Sequence, residues 1–269
     1  MAFLPPTNFS APRIHLKRAA RRLLWPHPSI YYPFGVLRKR GNVFRKSAQL
    51  FMGGYPRSGN TFAQIAFAVA NPGVRIRSHQ HIPTFVLCLT KAEIPGLVVI
   101  RPPLDAAVSW AIHENQPLEE AVAYWNDYYE TLLPVRSQLF VARFKDVTTD
   151  FGAVIEAFNA RWGTDYTPFV HTAETAAQCF KVTENDNRAP GGEIREMRVC
   201  RPSMERQIVK EAHLDQLDRS NLLREELARA NELYERFVNR RAECEMPVSN
   251  RVVSEELGNE SMAAVLAVS

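Results

Sequence analysis

The residues with the clearest chemical meaning lie at positions 53–62, in the stretch Gly-Gly-Tyr-Pro-Arg-Ser-Gly-Asn-Thr-Phe. Residues 47–52 end in an apolar run that predicts a short buried strand, and residues 63–70 are good helix formers. A strand, a glycine-containing turn and a helix direct main-chain N–H groups and the positive end of a helix dipole toward one anion. The stretch therefore predicts a phosphate-binding loop. The plainer interpretation is a tight turn that only joins a strand to a helix.

The loop differs from that of nucleoside triphosphatases at one important position. Gly54 and Gly59 keep the spacing of the motif G-x-x-x-x-G-K-[ST], and Thr61 occupies its hydroxyl position. Asn60 replaces the lysine that such enzymes place on the β- and γ-phosphates. Arg57 supplies a cation inside the loop instead. These differences favour a phosphate site of another kind.

The strands that follow the loop end in cations rather than in carboxylates. Apolar runs over 97–100 and 139–142 predict strands, and they lead into Arg101 and Arg143. A triphosphatase needs an acidic residue near such a strand end to help bind Mg²⁺. The pattern therefore favours a polyanionic nucleotide that is held by arginines and main-chain groups, with no required metal.

A second group of residues supports the phosphate interpretation. Arg101 leaves the strand over 97–100, and Ser109 follows eight residues later on a predicted helix. Because ligands of open α/β sheets bind outside the carboxyl ends of the strands, both side chains can reach the edge where the loop lies. A guanidinium offers a planar pair of donors to a phosphate, and a hydroxyl adds another donor. Taken alone, Arg101 could equally pair with Asp105 at the start of that helix.

Strands alternate with helices along the chain, which indicates a parallel sheet. The predicted fold class is α/β with three layers, a parallel sheet covered by helices on both faces. The strands are expected at 47–52, 74–79, 97–100 and 137–144. The helices are expected at 63–70, 106–113, 118–133, 149–162 and 204–244, and the aromatic residues of the helix over 118–133 are assigned to the core.

Composition limits the class of protein. A chain of 269 residues, 46% of them hydrophobic, is long enough for one large α/β core. No run approaches the roughly 20 apolar residues of a membrane span, and the basic residues at 13–22 would interrupt a secretory signal. The scattered cysteines have no metal-ligand spacing and fit reduced thiols in a cytoplasmic protein: Cys88, Cys179, Cys200 and Cys244.

The charge is unevenly distributed. The first acidic residue is Glu93, and the 92 residues before it contain 14 of the 33 lysines and arginines. Residues 1–46 are therefore predicted to be a basic N-terminal extension. Residues 47–244 are predicted to form the main domain, including its C-terminal helix, and 245–269 a flexible tail.

Two interpretations fit the basic extension equally well. Residues 13–24 can form a short basic amphipathic helix that lies on an anionic membrane surface or contacts an acidic partner. They can also form a solvated arm packed across the domain. An organellar presequence shares the same acid-free composition. Nucleic-acid binding ranks behind these interpretations, so no nucleic-acid partner is predicted.

Three motifs together resemble the PAPS-dependent sulfotransferases, in their bacterial type, where PAPS is 3′-phosphoadenylyl sulfate. Residues 55–62 resemble the family's 5′-phosphosulfate loop. The pattern R-x-P-x-D-x-x-x-S from Arg101 to Ser109 resembles its 3′-phosphate motif. Residues 77–79, Arg-Ser-His, resemble the Lys-Thr-His that ends the second strand and supplies the catalytic base. The resemblance covers about residues 48–240 in order, and it implies the P-loop NTPase-like sulfotransferase fold.

The resemblance implies a role for each matching residue. His79 would be the base that takes the proton of the acceptor hydroxyl. Arg57 would lie by the bridging oxygen and stabilise charge on the leaving phosphate. Phe62, which replaces the family's usual tryptophan, would stack on adenine. The 5′-phosphate and sulfonate would be held by main-chain groups of Ser58, Gly59 and Asn60 with the Thr61 hydroxyl, and the 3′-phosphate by Arg101 and Ser109.

The sequence departs from the family pattern at Phe62, as noted, and at two further places, and one assignment has a competitor. Arg57 stands where a lysine is commoner, and an arginine cannot give up a proton, so its role is charge stabilisation alone. The family's later glycine-rich loop is only faintly matched after Arg188, so a solvated loop arginine is preferred there over a third 3′-phosphate ligand. His81 competes with His79 for the role of base, and His79 is preferred.

The function expected from the resemblance is sulfonate transfer from PAPS, as a co-substrate and without a metal, to a hydroxyl or an amine. The acceptor would be a small molecule, a lipid or a sugar, and its pocket is expected in segments 80–90, 114–117 and 172–190. Two other classes stay as alternatives. One is an ATP- and Mg²⁺-dependent small-molecule kinase, and the other is a non-catalytic nucleotide-binding adaptor at a membrane surface.

Overall fold

The computed structural model describes residues 11–31, 48–186 and 204–239. The predictions for Arg188 and for the tail over 245–269 lie outside these ranges. Four parallel strands form one sheet in the order β2-β1-β3-β4. They are β1 (Leu50–Gly53), β2 (Ile76–Gln80), β3 (Gly96–Ile100) and β4 (Phe140–Arg143).

Helices connect the strands and flank the sheet. They include α1 (Ala11–Leu24), α2 (Asn60–Ala70), α3 (Pro83–Lys91), α4 (Pro103–Glu114), α5 (Leu118–Leu132), α6 (Phe144–Thr149), α7 (Phe151–Trp162), α8 (Ala173–Asp186), α9 (Met204–Arg219) and α10 (Asn221–Val238). A short 3-10 helix, Leu133–Gln138, follows α5.

Helices cover both faces of the sheet because its two central strands are apolar on both sides. Phe51, Val98 and Ile100 contribute to a core shared with α3, α4, α5 and α10. Leu97 and Val99 contribute to a second core shared with α2 and α7. Neighbouring residues of a strand point to opposite faces, so the two cores lie on opposite sides of the sheet. The predicted three-layer α/β fold is confirmed.

The strand order reverses beside β1, and this reversal places the candidate site. From β1 the chain continues to β2 on one side, and it then returns to β3 on the other side of β1. Ligands of open α/β sheets bind in the crevice that such a reversal opens at the carboxyl ends of the strands. Here the crevice lies beyond Gly53 and Ile100. The loop after β1 and Arg101 after β3 therefore meet at the same crevice.

The structure differs from the predicted elements in three segments. Two segments expected as loops around an acceptor, 80–90 and 172–190, contain α3 and α8. Pro83 occupies the first turn of α3, where its fixed φ and missing N–H favour a helix start. The predicted C-terminal helix is divided into α9 and α10 at Ser220. The Ser220 hydroxyl accepts from the Leu223 N–H and caps α10.

The basic N-terminal helix packs on α5, and its arginines surround a buried carboxylate. The side chain of Asp127 is 1% exposed. It accepts from Nε of Arg21 at 2.7 Å, of Arg22 at 3.2 Å and of Arg18 at 3.3 Å. Arg18 also forms a bidentate pair with Glu226 of α10, at 2.5 and 2.8 Å. Of the interpretations drawn from the sequence, an arm packed across the domain describes α1.

The exposed side of α1 carries two large apolar residues. Leu16 and Leu23 are 72% and 69% exposed, whereas Arg18 and Arg21 are turned toward α5 and are mostly buried. The two buried arginines are thus paired with carboxylates of the protein itself, and contact of this helix with a membrane surface stays a prediction. Within the described ranges, no helix is both long enough and apolar enough to cross a membrane.

His213 of α9 makes the stability of the fold sensitive to acid. Its side chain is 1% exposed, and burial lowers its pKa below the ordinary value of 6.5. The folded protein therefore keeps His213 neutral at pH values where the unfolded chain already binds a proton. Its contribution to stability is complete above about pH 6.5 and is lost as the pH falls below that value.

The substitution His213→Gln is expected to make the free energy of unfolding depend less steeply on pH between about 7.5 and 5. One proton that only the unfolded state binds contributes a slope of up to about 1.4 kcal/mol per pH unit. Urea unfolding at several pH values measures the slope in both proteins. A constant loss of stability from the substitution does not affect a comparison of slopes. Equal slopes would contradict the prediction.

Candidate phosphate-binding site

The loop between β1 and α2 has an unusual backbone. Gly54, Arg57 and Gly59 have φ values of 150°, 64° and 90°. Glycine adopts such values at little cost, whereas the left-handed backbone of Arg57 is uncommon and strained. Strain of this kind is concentrated at ligand-binding and catalytic sites. The conformation of Arg57 therefore marks the loop as a candidate functional segment.

Neither glycine leaves room for a side chain. A Cβ atom on Gly54 would lie 2.3 Å from the carbonyl oxygen of Val99, and one on Gly59 would lie 2.9 Å from Cδ2 of Phe144. The loop is thus closely packed against the chain segments that end β3 and follow β4. Gly59 precedes the first residue of α2, and no described side chain caps this helix. Because the first N–H groups of a helix lack intrahelical acceptors, those of α2 can bind an anion.

Asn60, at the position of the triphosphatase lysine, binds the loop itself. Its Nδ2 donates to the carbonyl oxygens of Gly54, at 3.4 Å, and of Tyr55, at 3.0 Å. The side chain is buried, so the main-chain N–H is the group of Asn60 that can serve a ligand. Across the described parts of the chain, no group of three or more His, Cys, Asp and Glu residues is arranged to hold a metal ion.

The two predicted phosphate motifs meet in the crevice. Nε of Arg57 donates to Oγ of Ser109 at 3.2 Å, and Nη1 of Arg101 donates to the carbonyl oxygen of Arg57 at 3.1 Å. The guanidinium carbon of Arg101 lies 4.4 Å from the ring centroid of Phe144, a cation–π contact that orients the arginine. Two guanidinium groups and a hydroxyl thus lie beside one helix N-terminus. This donor set fits a ligand that carries two phosphate groups.

Tyrosines support the loop from the α5 side. The N–H of Tyr55 donates to the hydroxyl of Tyr129 at 3.4 Å, and that hydroxyl donates to the carbonyl oxygen of Val99 at 3.2 Å. The hydroxyl of Tyr55 donates to the carbonyl oxygen of Ala121 at 2.9 Å. Burial raises the pKa of both tyrosines above the ordinary value, so the two hydroxyls stay neutral hydrogen-bond donors.

The segment with the predicted base, His79, lies at the carboxyl end of β2. The pairing of β2 with β1 is irregular there, because Phe51 pairs with Arg77 but Gly53 pairs with Gln80. One extra residue is therefore accommodated in β2 next to His79. An irregularity of this kind changes the direction of the side chains that follow it, and it is common beside active sites.

His81 lies just beyond β2 and contacts the loop. The strand ends at Gln80, so His81 does not continue the alternation of the strand. Nδ1 of His81 lies 3.0 Å from the carbonyl oxygen of Gly54. The structure thus brings His81 to the first glycine of the phosphate loop. The assignment of the base to His79 stays a prediction.

Phe62 lies in the core beside the loop and is 4% exposed. Its ring packs against the rings of Phe169, His171 and Phe180, with centroids 6.4, 5.6 and 5.3 Å away. Stacking of Phe62 on adenine also stays a prediction. It requires that one of these covering rings give way when the nucleotide binds.

Sequence reasoning misses two sets of residues at this site. Phe144 directly follows β4, and its position at the carboxyl end of a strand is a signal that could have identified it. Tyr55 and Tyr129 are anchors of the loop, but their pattern is that of ordinary core aromatics. No sequence signal separates a tyrosine that only fills a core from one whose hydroxyl binds a loop.

Comparison with known proteins adds little to this geometry. No protein-family model matches the chain, and no curated protein matches it in sequence. The similar solved structures include mouse sulfotransferase SULT7A1 complexed with PAP. This chain is 14% identical to it, the alignment covers 68% of this chain and 89% of that chain, and the TM-score is 0.39. A similarity at this level does not assign the chain to a family.

Proposed function

We propose that this protein transfers a sulfonate group from PAPS to a hydroxyl or an amine of an acceptor. One observation carries the proposal: Arg57 of the loop contacts Ser109 through its side chain and Arg101 through its carbonyl oxygen. A nucleotide with phosphate groups at both its 5′ and 3′ positions needs two neighbouring anion sites. Two motifs that meet in one crevice can supply them, and their resemblance to the sulfotransferase motifs supports PAPS as the donor.

Each group has a defined task in the proposed complex. The 5′-phosphate and the sulfonate are bound at the start of α2 by the main chain of residues 58–60 and by the Thr61 hydroxyl. The 3′-phosphate is bound by Arg101 and Ser109. Arg57 lies between the two anion sites. Its fixed positive charge is therefore close to the bridging oxygen on which negative charge develops.

The proposed reaction is a single in-line transfer. The acceptor atom forms a bond to sulfur while the bond between sulfur and the bridging oxygen breaks, and the electron pair of that bond stays on the 5′-phosphate. A histidine at the end of β2, His79 according to the motif, takes the proton of the acceptor. The products are the sulfated acceptor and adenosine 3′,5′-bisphosphate. Arg57 supplies charge stabilisation and moves no proton.

Calorimetric titration tests the proposal directly. Adenosine 3′,5′-bisphosphate is expected to bind with the same affinity with and without EDTA, because the proposed donor set contains only protein groups. Tight binding of MgATP with no binding of the bisphosphate would contradict the proposal and would favour the small-molecule kinase. Bisphosphate binding without turnover of any acceptor would favour the non-catalytic nucleotide-binding protein.

The substitution Arg101→Ala is expected to weaken binding of adenosine 3′,5′-bisphosphate by about 10- to 100-fold, the effect of one lost charged hydrogen bond. Binding of adenosine 5′-monophosphate, which lacks the 3′-phosphate, should change little. Arg143→Ala is a matched control, because Arg143 also ends a strand but is exposed and pairs with Asp146. Equal losses for the two nucleotides would remove the assigned role of Arg101.

The substitution His79→Ala is expected to lower the rate of sulfonate transfer by roughly 10² or more, the usual effect of losing an acid–base group. Binding of the bisphosphate should persist, because the histidine acts on the acceptor. His81→Ala is the paired variant. If His79→Ala keeps its activity and His81→Ala loses it, the assignment of the base to His79 is wrong.

The acceptor belongs to one of three proposed classes: a small molecule, a lipid or a sugar. Its pocket would lie beside α3 and α8, the helices that occupy two of the segments expected around it. A screen with radiolabelled PAPS against small-molecule and glycolipid fractions identifies the class. Transfer to only one class of fraction would decide between them.

A further inference from the structure

One side chain of α5 joins the end of β2 to the phosphate loop. The hydroxyl of Tyr124 donates to the carbonyl oxygen of His81 at 2.9 Å. Its ring packs against the ring of Tyr55, with centroids 5.5 Å apart. Tyr124 therefore contacts both segments that border the crevice. It binds the main chain just after β2, and it packs against the ring of Tyr55 in the phosphate loop.

The side chain of His81 also contacts the phosphate loop. Its Nδ1 lies 3.0 Å from the carbonyl oxygen of Gly54. A carbonyl oxygen can only accept, so this contact is a hydrogen bond when Nδ1 carries the proton, and the lone pair of the neutral ring is then on Nε2. The contact with Gly54 therefore favours the tautomer of His81 that carries its proton on Nδ1.

The end of α1 also packs against Tyr124. The ring of Trp25 packs edge-on at 5.3 Å between centroids, and the guanidinium carbon of Arg21 lies 5.3 Å from the Tyr124 ring centroid. The carbonyl oxygen of Trp25 also accepts from the hydroxyl of Thr84 at 3.0 Å, so α3 contacts the end of α1 as well. A ring packed against several neighbours keeps one rotamer, so its hydroxyl is held in one position. Burial also raises the pKa of Tyr124 above the ordinary value, and the hydroxyl remains a donor.

We propose that Tyr124 is a positioning residue of the transfer site. Its hydroxyl holds the main chain of His81, and with it the segment that carries both candidate histidines, at a fixed distance from the phosphate loop. Proton transfer depends steeply on such distances, so a loosened segment slows the reaction while leaving the phosphate sites intact. The effect on rate rests on the proposed function, whereas the effect on the geometry of His81 does not.

The substitution Tyr124→Phe tests the proposal, because it removes the hydroxyl and keeps the packed ring. The value of kcat is expected to fall by about 3- to 10-fold, as for one lost hydrogen bond, with unchanged affinity for adenosine 3′,5′-bisphosphate. Tyr129→Phe is the matched variant. Its hydroxyl supports the main chain of Tyr55 in the loop, so its loss is expected to weaken bisphosphate binding. Tyr166→Phe, whose hydroxyl lies 3.5 Å from the carbonyl oxygen of Gln49 outside the site, should change neither value.

A spectroscopic measurement separates this inference from the proposed function. The ring ¹⁵N shifts of His81, assigned with His81→Gln, report which nitrogen carries the proton and need no turnover. The parent protein is expected to show the Nδ1–H form, and Tyr124→Phe is expected to shift toward a mixture of the two tautomers. His81 signals that are the same in both proteins would overturn the positioning role, whatever the rate. A protein without sulfotransferase activity would leave the spectroscopic test valid and would refute only the proposed function.

Discussion

The substitution Arg57→Gly is expected to slow sulfonate transfer by roughly 10²–10³-fold, the effect of removing one preorganised charge from a site of developing negative charge. Glycine is the informative replacement because Arg57 has a φ of 64°. Glycine adopts this backbone without strain, so the loop keeps its shape and only the guanidinium is lost. Alanine would add a backbone penalty to the effect that is being measured. Steady-state kinetics with a saturating donor gives the change in kcat.

Arg57→Lys is the control for charge. A lysine keeps the positive charge but not the planar pair of donors, so a partial rate is expected. Binding of adenosine 3′,5′-bisphosphate to Arg57→Gly should weaken far less than kcat falls, because Arg101, Ser109 and the main chain of the loop remain. A loss confined to nucleotide binding, with kcat unchanged, would show that Arg57 is a binding residue only.

The substitution Asp127→Asn is expected to lower the free energy of unfolding by about 3–5 kcal/mol, the usual cost of removing one partner from a buried ion pair. Asn keeps the shape of the side chain but removes the negative charge that three arginines share. Arg18 and Arg21 would then be left mostly buried with less opposing charge. Urea unfolding at neutral pH measures the change.

Glu130→Gln is the matched control. Glu130 lies on the same helix and pairs with Arg22 and Arg229, but all three side chains are partly exposed. A pair of this kind contributes up to about 1 kcal/mol. Similar decreases in the free energy of unfolding for Asp127→Asn and Glu130→Gln would mean that burial does not strengthen the ion pairs of Asp127. The ion pairs of α1 would then contribute little to the stability of the domain.

The phosphate loop could be predicted because its chemistry is local. The spacing of Gly54 and Gly59 follows from a turn between a strand and a helix, and both flanking elements have clear patterns. The strained backbone of Arg57 could not be predicted in the same way, because glycine or asparagine, but not arginine, signals a left-handed turn. That Arg101 meets the loop follows from the shared edge of parallel strands. The contact between Arg57 and Ser109 depends on side-chain rotamers, which a sequence pattern does not contain.

The position of the basic helix lay beyond sequence reasoning for a different reason. A helix with arginines on one side and leucines on the other can turn either side toward the protein. For α1 the choice is made by Asp127 and Glu226, which lie more than 100 residues further along the chain. The acidic groups on α5 and α10 are not a recognisable motif. Only the folded arrangement brings them together opposite α1.

The ion pair between Arg18 and Glu226 spans 208 residues of the chain. The N-terminal end of a chain leaves the ribosome first. The residues of α1 are therefore made long before the carboxylate of α10 that pairs with them. This bidentate partner becomes available only when the last described helix has been made. The domain is therefore completed late in translation, and a chain interrupted before α10 can make the contacts of α1 with α5 but lacks this ion pair.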